Sequence, residues 1–149
     1  MSAPQAASRP RYLGIDPGRA KCGFAVVFEN GERDGLDVVP TATVEGRIDE
    51  QVRAGGVIAF CVGHATTSGA IVELCRRRWP NVELHVVDET NSTFEARALY
   101  FADHPPKGLW RLVPRGLLVP NVALDGYAAL IIVQRYKRSL EEGRERPHA

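Results

Sequence analysis

The sequence has no strong excess of either charge and no long apolar run. Its 19 Lys and Arg residues nearly balance its 18 Asp and Glu residues, which gives a net charge of +1. This balance excludes a strongly basic, histone-like nucleic-acid-binding protein and a strongly acidic disordered chain. A nucleic-acid site must therefore come from local clustering of charge. No apolar run approaches the ~18 residues that a membrane span needs.

Cysteine is scarce, and the chain start does not read as a targeting signal. The three cysteines, Cys22, Cys61 and Cys75, form no CxxC pair, so neither a disulfide framework nor a zinc site is indicated. Cys22 and Cys61 lie in apolar runs, where we expect small buried hydrophobes. Residues 1–10 are small and polar and have no apolar core of a secretory signal. We therefore expect a cytoplasmic protein that does not contact the membrane.

The chain length and the order of its apolar segments predict one α/β domain. We expect a disordered tail over 1–10, a single domain over 11–140 and a charged tail over 141–149. Three strands come first and are predicted to form an antiparallel meander. Two further strands alternate with helices and are predicted to pair in parallel, which gives a five-stranded mixed sheet flanked by helices.

The predicted elements follow from periodicity and turn residues. Pro40 lies inside the third strand and indicates an edge position or a break. A long loop is predicted over 103–123, where four prolines fall. The strands are predicted at 12–16, 22–28, 36–44, 57–62 and 82–87, and the helices at 45–53, 68–79, 92–101 and 125–140.

Three acidic residues stand at comparable places in this pattern. Asp16 ends the first strand, Glu89 follows the last strand, and Asp125 begins the last helix. If the first, fourth and fifth strands are neighbours, these positions converge on one edge of the sheet. Carboxylates that close repel one another, and a bound Mg²⁺ or Mn²⁺ relieves the repulsion with hard oxygen ligands. Each residue also has a plainer interpretation, because Asp16 suits a turn, Glu89 a solvated loop and Asp125 a helix N-cap.

Four segments together resemble the YqgF (RuvX) family, and the resemblance spans about residues 11–138. This family comprises ribonuclease-H-like nucleases associated with Holliday junction resolution or with processing of pre-16S ribosomal RNA. The order and spacing of the four segments indicate this resemblance more strongly than any single motif does. The segments are YLGIDPGRAKCGFAV at 12–26, VGHATTS at 62–68, VDETNSTFEA at 87–96 and LDGYAA at 124–129.

The resemblance implies a ribonuclease-H-like fold and a divalent-metal-dependent nuclease in which Asp16, Glu89 and Asp125 ligate Mg²⁺ or Mn²⁺. It implies RNA as substrate, in 5′ end processing of pre-16S rRNA, and also branched DNA such as a four-way junction. Gly126 departs from the family pattern, because many relatives have a second acid there. No fourth carboxylate is assigned, so a catalytically weak nucleic-acid-binding module is an alternative.

Basic, hydroxyl and aromatic residues near these acids are candidates for binding nucleic acid. Basic and hydroxyl residues in turns are suited to phosphate contacts, and an aromatic side chain between basic residues is suited to base stacking. Solvated turns, helix capping and a tryptophan packed onto the body are the alternatives. The candidates are Arg19, Lys21, Thr66, Thr67, Ser68, Lys107, Trp110, Arg111 and Arg115.

Other basic residues are predicted to be solvated helix ends, and the oligomeric state is open. Arg76, Arg77, Arg78, Arg135, Lys137 and Arg138 belong to the solvated group. His64 is interpreted either as a general base or substrate contact, or as a structural residue. A junction resolvase needs two active sites and so a homodimer, whereas other nucleases act as monomers. One half of a sugar-kinase-like ATPase is a third hypothesis, although such enzymes need two domains.

Overall fold

The computed structural model describes residues 9–90, 92–112 and 124–145. Short 3-10 turns lie at Thr41–Thr43 and Gly108–Leu112. The strands are β1 Arg11–Asp16, β2 Lys21–Phe28, β3 Arg33–Pro40, β4 Val57–Gly63 and β5 Glu83–Val87, and the helices are α1 Val44–Ala54, α2 Ser68–Arg78, α3 Ser92–Asp103 and α4 Asp125–Glu145.

The five strands form one mixed sheet in the order β3-β2-β1-β4-β5. Strands β1, β2 and β3 pair antiparallel, while β4 pairs in parallel with both β1 and β5. This confirms the predicted meander and parallel pair. Because β1, β4 and β5 are neighbours that run in the same direction, their carboxyl ends meet at one edge of the sheet.

Two apolar layers cover the sheet. Successive residues of β1 point to opposite faces, so Leu13 and Ile15 pack with α1 and α2, whereas Tyr12 packs with α4. Strand β4 is apolar on both faces because helices cover both sides of it. All three cysteines are free and buried, which confirms the interpretation of Cys22 and Cys61 as small core residues.

Two predicted element ends were wrong. The third strand was predicted at 36–44, but it runs from Arg33 to Pro40, because proline ends the ladder and the chain then turns toward α1. The last helix continues past its predicted end at 140 to Glu145, so part of the charged segment is helical. In the described part of the long loop predicted over 103–123 lies the 3-10 turn Gly108–Leu112, and residues 113–123 lie outside the described residues.

None of the helices in the described part of the chain is long and apolar enough to cross a membrane.

Helix α4 crosses the sheet in very close contact with β1 and β2. A Cβ atom at Gly14 would overlap the carbonyl oxygen of Ala129, and one at Gly23 would overlap the carbonyl oxygen of Asp125. Backbone atoms of a helix cannot shift independently, so any larger residue at these two positions must push α4 away from the sheet.

We predict that Gly14→Ala lowers the free energy of unfolding by about 1–3 kcal/mol, because the new methyl group meets helix backbone. Gly69→Ala is the matched control, since a Cβ at Gly69 in α2 meets no atom within 4 Å. Alanine is the better helix former, so this control is expected to leave stability unchanged or raise it slightly. Urea unfolding of both variants checks the prediction, and equal stabilities would contradict it.

Candidate functional site

The three predicted acids come together at the carboxyl edge of the sheet. Asp16 is the last residue of β1, Glu89 lies two residues after β5, and Asp125 is the first residue of α4. Asp16 pairs in register with Gly23, and Gly23 lies against the backbone of Asp125. The parallel pairing of β1, β4 and β5 and the close approach of α4 thus produce the cluster.

The Asp16 carboxyl group is strongly affected by this environment. Burial, a hydrogen bond to the Glu89 carboxyl and the negative charges of Glu89 and Asp125 raise the pKa of Asp16 from 3.8 to about 8. The protonated form of Asp16 is stabilised because it donates to Glu89 and carries no charge. A carboxyl group with such a pKa next to other acids is typical of a functional site.

Glu89 is held against Gly63, the last residue of β4. A Cβ at Gly63 would overlap Glu89 Oε1, so glycine leaves the space that this carboxylate fills. That same Oε1 is buried and has no hydrogen-bond partner. An unpartnered buried carboxylate oxygen beside two other acids suits a hard divalent cation, so the donor set of Asp16, Glu89 and Asp125 fits Mg²⁺ or Mn²⁺.

Asp125 faces a basic partner. Lys21 Nζ lies 3.3 Å from Asp125 Oδ2, and the lysine side chain is about half exposed. Within residues 9–90, 92–112 and 124–145, no three His, Cys, Asp or Glu groups have the arrangement of a complete metal site. In this geometry Asp16 is hydrogen-bonded to Glu89, and Asp125 is paired with Lys21.

The other candidates for binding nucleic acid differ in exposure. Arg19, Lys21, Thr66, Lys107 and Arg111 are exposed, and Thr67 is half-buried. Ser68 is buried, and its hydroxyl donates to the carbonyl oxygen of Ala65 at 2.6 Å. The hydroxyl of Thr67, which precedes α2, makes no capping hydrogen bond. The side chain of Trp110 and all of Arg115 lie outside the described residues.

His64 directly follows β4 at the carboxyl edge of the sheet. It is exposed and follows Gly63, and its backbone N–H donates to the carbonyl oxygen of Val87 at 2.8 Å. The His64 ring interacts electrostatically with Asp88, the neighbour of Glu89, and the chemical and the structural interpretations both stay open.

The interpretation of Arg135 as a solvated helix end was wrong. Its guanidinium donates to the carbonyl oxygens of Asp88 and Thr90, each at 2.6 Å, and pairs with Glu95 at 3.2 Å. Sequence reasoning missed this because the partners are backbone atoms, 47 and 45 residues away in the chain. The one available signal was the position of Arg135 on the same helical stripe as buried residues.

No protein-family model matches the sequence, and the curated proteins give no match. Solved structures do match the fold. Thermus thermophilus RuvC in complex with Holliday junction substrate is 15% identical, with 88% of this chain and 96% of that chain covered and a TM-score of 0.57. A second Thermus thermophilus RuvC structure is 17% identical, with 87% and 96% covered and a TM-score of 0.49. The fold is ribonuclease-H-like, as predicted.

Longer proteins match over part of their length. A ROK family glucokinase from Streptomyces griseus, in complex with glucose and AMPPNP, is 17% identical and has 58% of this chain covered, with a TM-score of 0.40. The chain spans 36% of that glucokinase and 39% of a Cytophaga hutchinsonii protein of the sugar-kinase type.

We predict that stability in EDTA falls as the pH rises toward 8. The folded state binds the Asp16 proton more tightly than the unfolded chain does, because the pKa is raised from 3.8 to about 8. The contribution of this group is therefore fully present below about pH 4 and is lost as the pH rises through the folded pKa. Asp16→Asn should remove most of this dependence and should be more stable than the wild type at pH 8. Urea unfolding between pH 5 and pH 9 measures it, and parallel pH profiles for the two proteins would contradict it.

Proposed function

We propose that the protein is a divalent-metal-dependent nuclease that hydrolyses phosphodiester bonds in nucleic acid. The single observation that carries the proposal is the meeting of Asp16, Glu89 and Asp125 at the carboxyl edge of a ribonuclease-H-like sheet. Bringing three acids together costs folding free energy. A function that binds a cation between them offsets that cost and explains the arrangement.

Asp16, Glu89 and Asp125 would hold Mg²⁺ or Mn²⁺, with Glu89 Oε1 as the oxygen that otherwise has no partner. The bound cation would supply activation of a water molecule and stabilisation of the leaving oxygen of a phosphodiester. The proton on Asp16 must leave before that carboxyl group can act as a charged ligand. Cation binding therefore competes with a proton at this position.

Residues around the acids bind and orient the substrate in this proposal. Arg19 lies in the turn after Asp16 and Lys21 begins β2, and both offer positive charge to a phosphate next to the site. Thr66 lies at the exposed turn after β4 and offers a hydroxyl donor. Lys107 and Arg111 extend the positive surface along the segment after α3, where they contact the phosphate backbone further from the scissile bond.

RNA is the proposed substrate, in 5′ end processing of pre-16S rRNA, and a four-way DNA junction is the alternative. The resemblance of four sequence segments to the YqgF family supports RNA or branched DNA. The fold similarity to RuvC, a protein solved with Holliday junction substrate, supports nucleic acid as the substrate class. Junction resolution would require two copies of this chain, because each copy contributes one site.

A second candidate function is a nucleic-acid-binding module with weak catalysis. Two observations favour it. Gly126 stands beside Asp125 where many members of the family that the sequence resembles have a second acid, and Lys21 holds Asp125 by an ion pair. In this alternative the same basic residues bind nucleic acid while the acids give little or no cleavage.

We predict cleavage that requires Mn²⁺ or Mg²⁺, stops in EDTA and is lost in Asp16→Asn. Labelled single-stranded RNA, a pre-16S rRNA end and a four-way DNA junction are incubated in parallel with both proteins. Cleavage of the rRNA end supports RNA processing, and paired symmetric cuts in the junction support a resolvase. Tight binding of these substrates without cleavage by the wild type under any metal would contradict the nuclease and favour the binding module.

We predict that Lys107→Ala and Arg111→Ala each weaken substrate binding and reduce the salt dependence of the binding constant by about one charge. Both side chains are exposed, so neither change is expected to affect folding. Arg53→Ala is the control, because Arg53 is an equally exposed cation on α1, across the sheet from α4. Binding titrations at several salt concentrations test this, and an identical salt slope in all three variants would contradict it.

A further inference from the structure

Arg135 is bound to the backbone on both sides of Glu89. Its Nη1 atom donates to the carbonyl oxygen of Asp88 and its Nη2 atom donates to that of Thr90, each at 2.6 Å. Nη2 also lies 3.2 Å from Glu95 Oε1, and only 18% of the arginine side chain is exposed. These are short, charge-assisted hydrogen bonds to two carbonyl groups that are separated by the single residue Glu89.

The segment 88–90 is also closed by a local turn. Asp88 Oδ1 accepts hydrogen bonds from the backbone N–H of Thr90 at 3.0 Å and from the Thr90 hydroxyl at 2.7 Å. The turn fixes the shape of the segment. The side chains of Asp88 and Thr90 are exposed, whereas Glu89 is half-buried and its carboxyl group is hydrogen-bonded to Asp16 of β1. The two hydrogen bonds from Arg135 tie the backbone of this segment to α4.

We propose that Arg135 is a positioning residue that fixes segment 88–90 and thereby sets where the Glu89 carboxylate lies relative to Asp16 and Asp125. The inference rests on the proposed function, since it assigns Glu89 to a divalent cation. Helix α4 then holds two of the three acids, because it carries Asp125 directly and holds Glu89 through Arg135. Residues that orient metal ligands affect metal affinity although they do not touch the ion.

The direction in which removal of Arg135 changes the affinity for a divalent cation separates a positioning role from a purely electrostatic one. Arg135 is a cation near a cluster of acids, so by Coulomb's law its removal should strengthen the binding of a divalent cation. Loss of positioning has the opposite effect, because Glu89 is then free to move out of place. Arg138 on the same helix is an exposed arginine that, like Arg135, lines the cavity between β5 and α4, so it reports the charge effect alone.

The experiment measures the dissociation constant of Mn²⁺ from the full chain by electron paramagnetic resonance of the free ion. The variants are Arg135→Met, Arg138→Met and Glu89→Gln, together with the double variant of Arg135→Met and Glu89→Gln. We expect Arg135→Met to weaken Mn²⁺ binding by about tenfold or more. Arg138→Met is expected to leave it within about twofold, because the charge is screened by solvent. In the Glu89→Gln background, Arg135→Met should have little further effect, since both changes act through one carboxylate.

Three outcomes would overturn the inference. The first is that Arg135→Met binds Mn²⁺ at least as tightly as the wild type does. The second is that the fold-losses of Mn²⁺ affinity caused by Arg135→Met and by Glu89→Gln multiply in the double variant. The third is that Arg135→Lys binds Mn²⁺ like the wild type. Arg135→Lys also serves if Arg135→Met does not fold, because it keeps the charge but presents one nitrogen in place of the two that bond the carbonyls, and it should bind Mn²⁺ at an intermediate affinity. If the wild type itself does not bind Mn²⁺, the proposed function fails and this inference fails with it.

Discussion

Helix α4 lies so close to the sheet that only glycine fits beneath it at two points. Gly14 faces the carbonyl oxygen of Ala129 and Gly23 faces that of Asp125. This contact fixes the first turn of α4 over the end of β1, which places Asp125 beside Asp16. The same helix reaches the segment that carries Glu89 through Arg135. One packing interface therefore determines the relative positions of all three acids.

In the cluster of Asp16, Glu89 and Asp125, the features that suit function lower the stability of the fold. Burial and neighbouring acids raise the pKa of Asp16, so ionisation of the site at neutral pH works against folding. Glu89 Oε1 is buried without a partner, which also costs free energy. A chain shaped by stability alone would have no reason to keep either feature. Both are explained if a divalent cation binds there, because it replaces the proton and partners the oxygen.

Much of the fold could be predicted from the sequence, because its signals are local. The continuous apolar run of β4 indicated a strand covered on both faces, and the position of Asp16 at the end of β1 followed from the turn at Pro17 and Gly18. The end of β3 at Pro40 was misjudged, since the run of apolar residues continues through the proline to Val44. The role of Arg135 was not predictable, because it bonds to carbonyl oxygens that every residue carries. Nor does spacing reveal that Lys21 pairs with Asp125, since that depends on how α4 is placed.

We propose that Asp16, Glu89 and Asp125 form a site for a divalent cation. The direct test is anomalous diffraction from a crystal soaked in Mn²⁺. We expect an anomalous peak within bonding distance of carboxylate oxygens of Asp16, Glu89 and Asp125, and its disappearance in crystals of Asp16→Asn. A peak elsewhere on the molecule, or none at these carboxylates at saturating Mn²⁺ above pH 8, would contradict it.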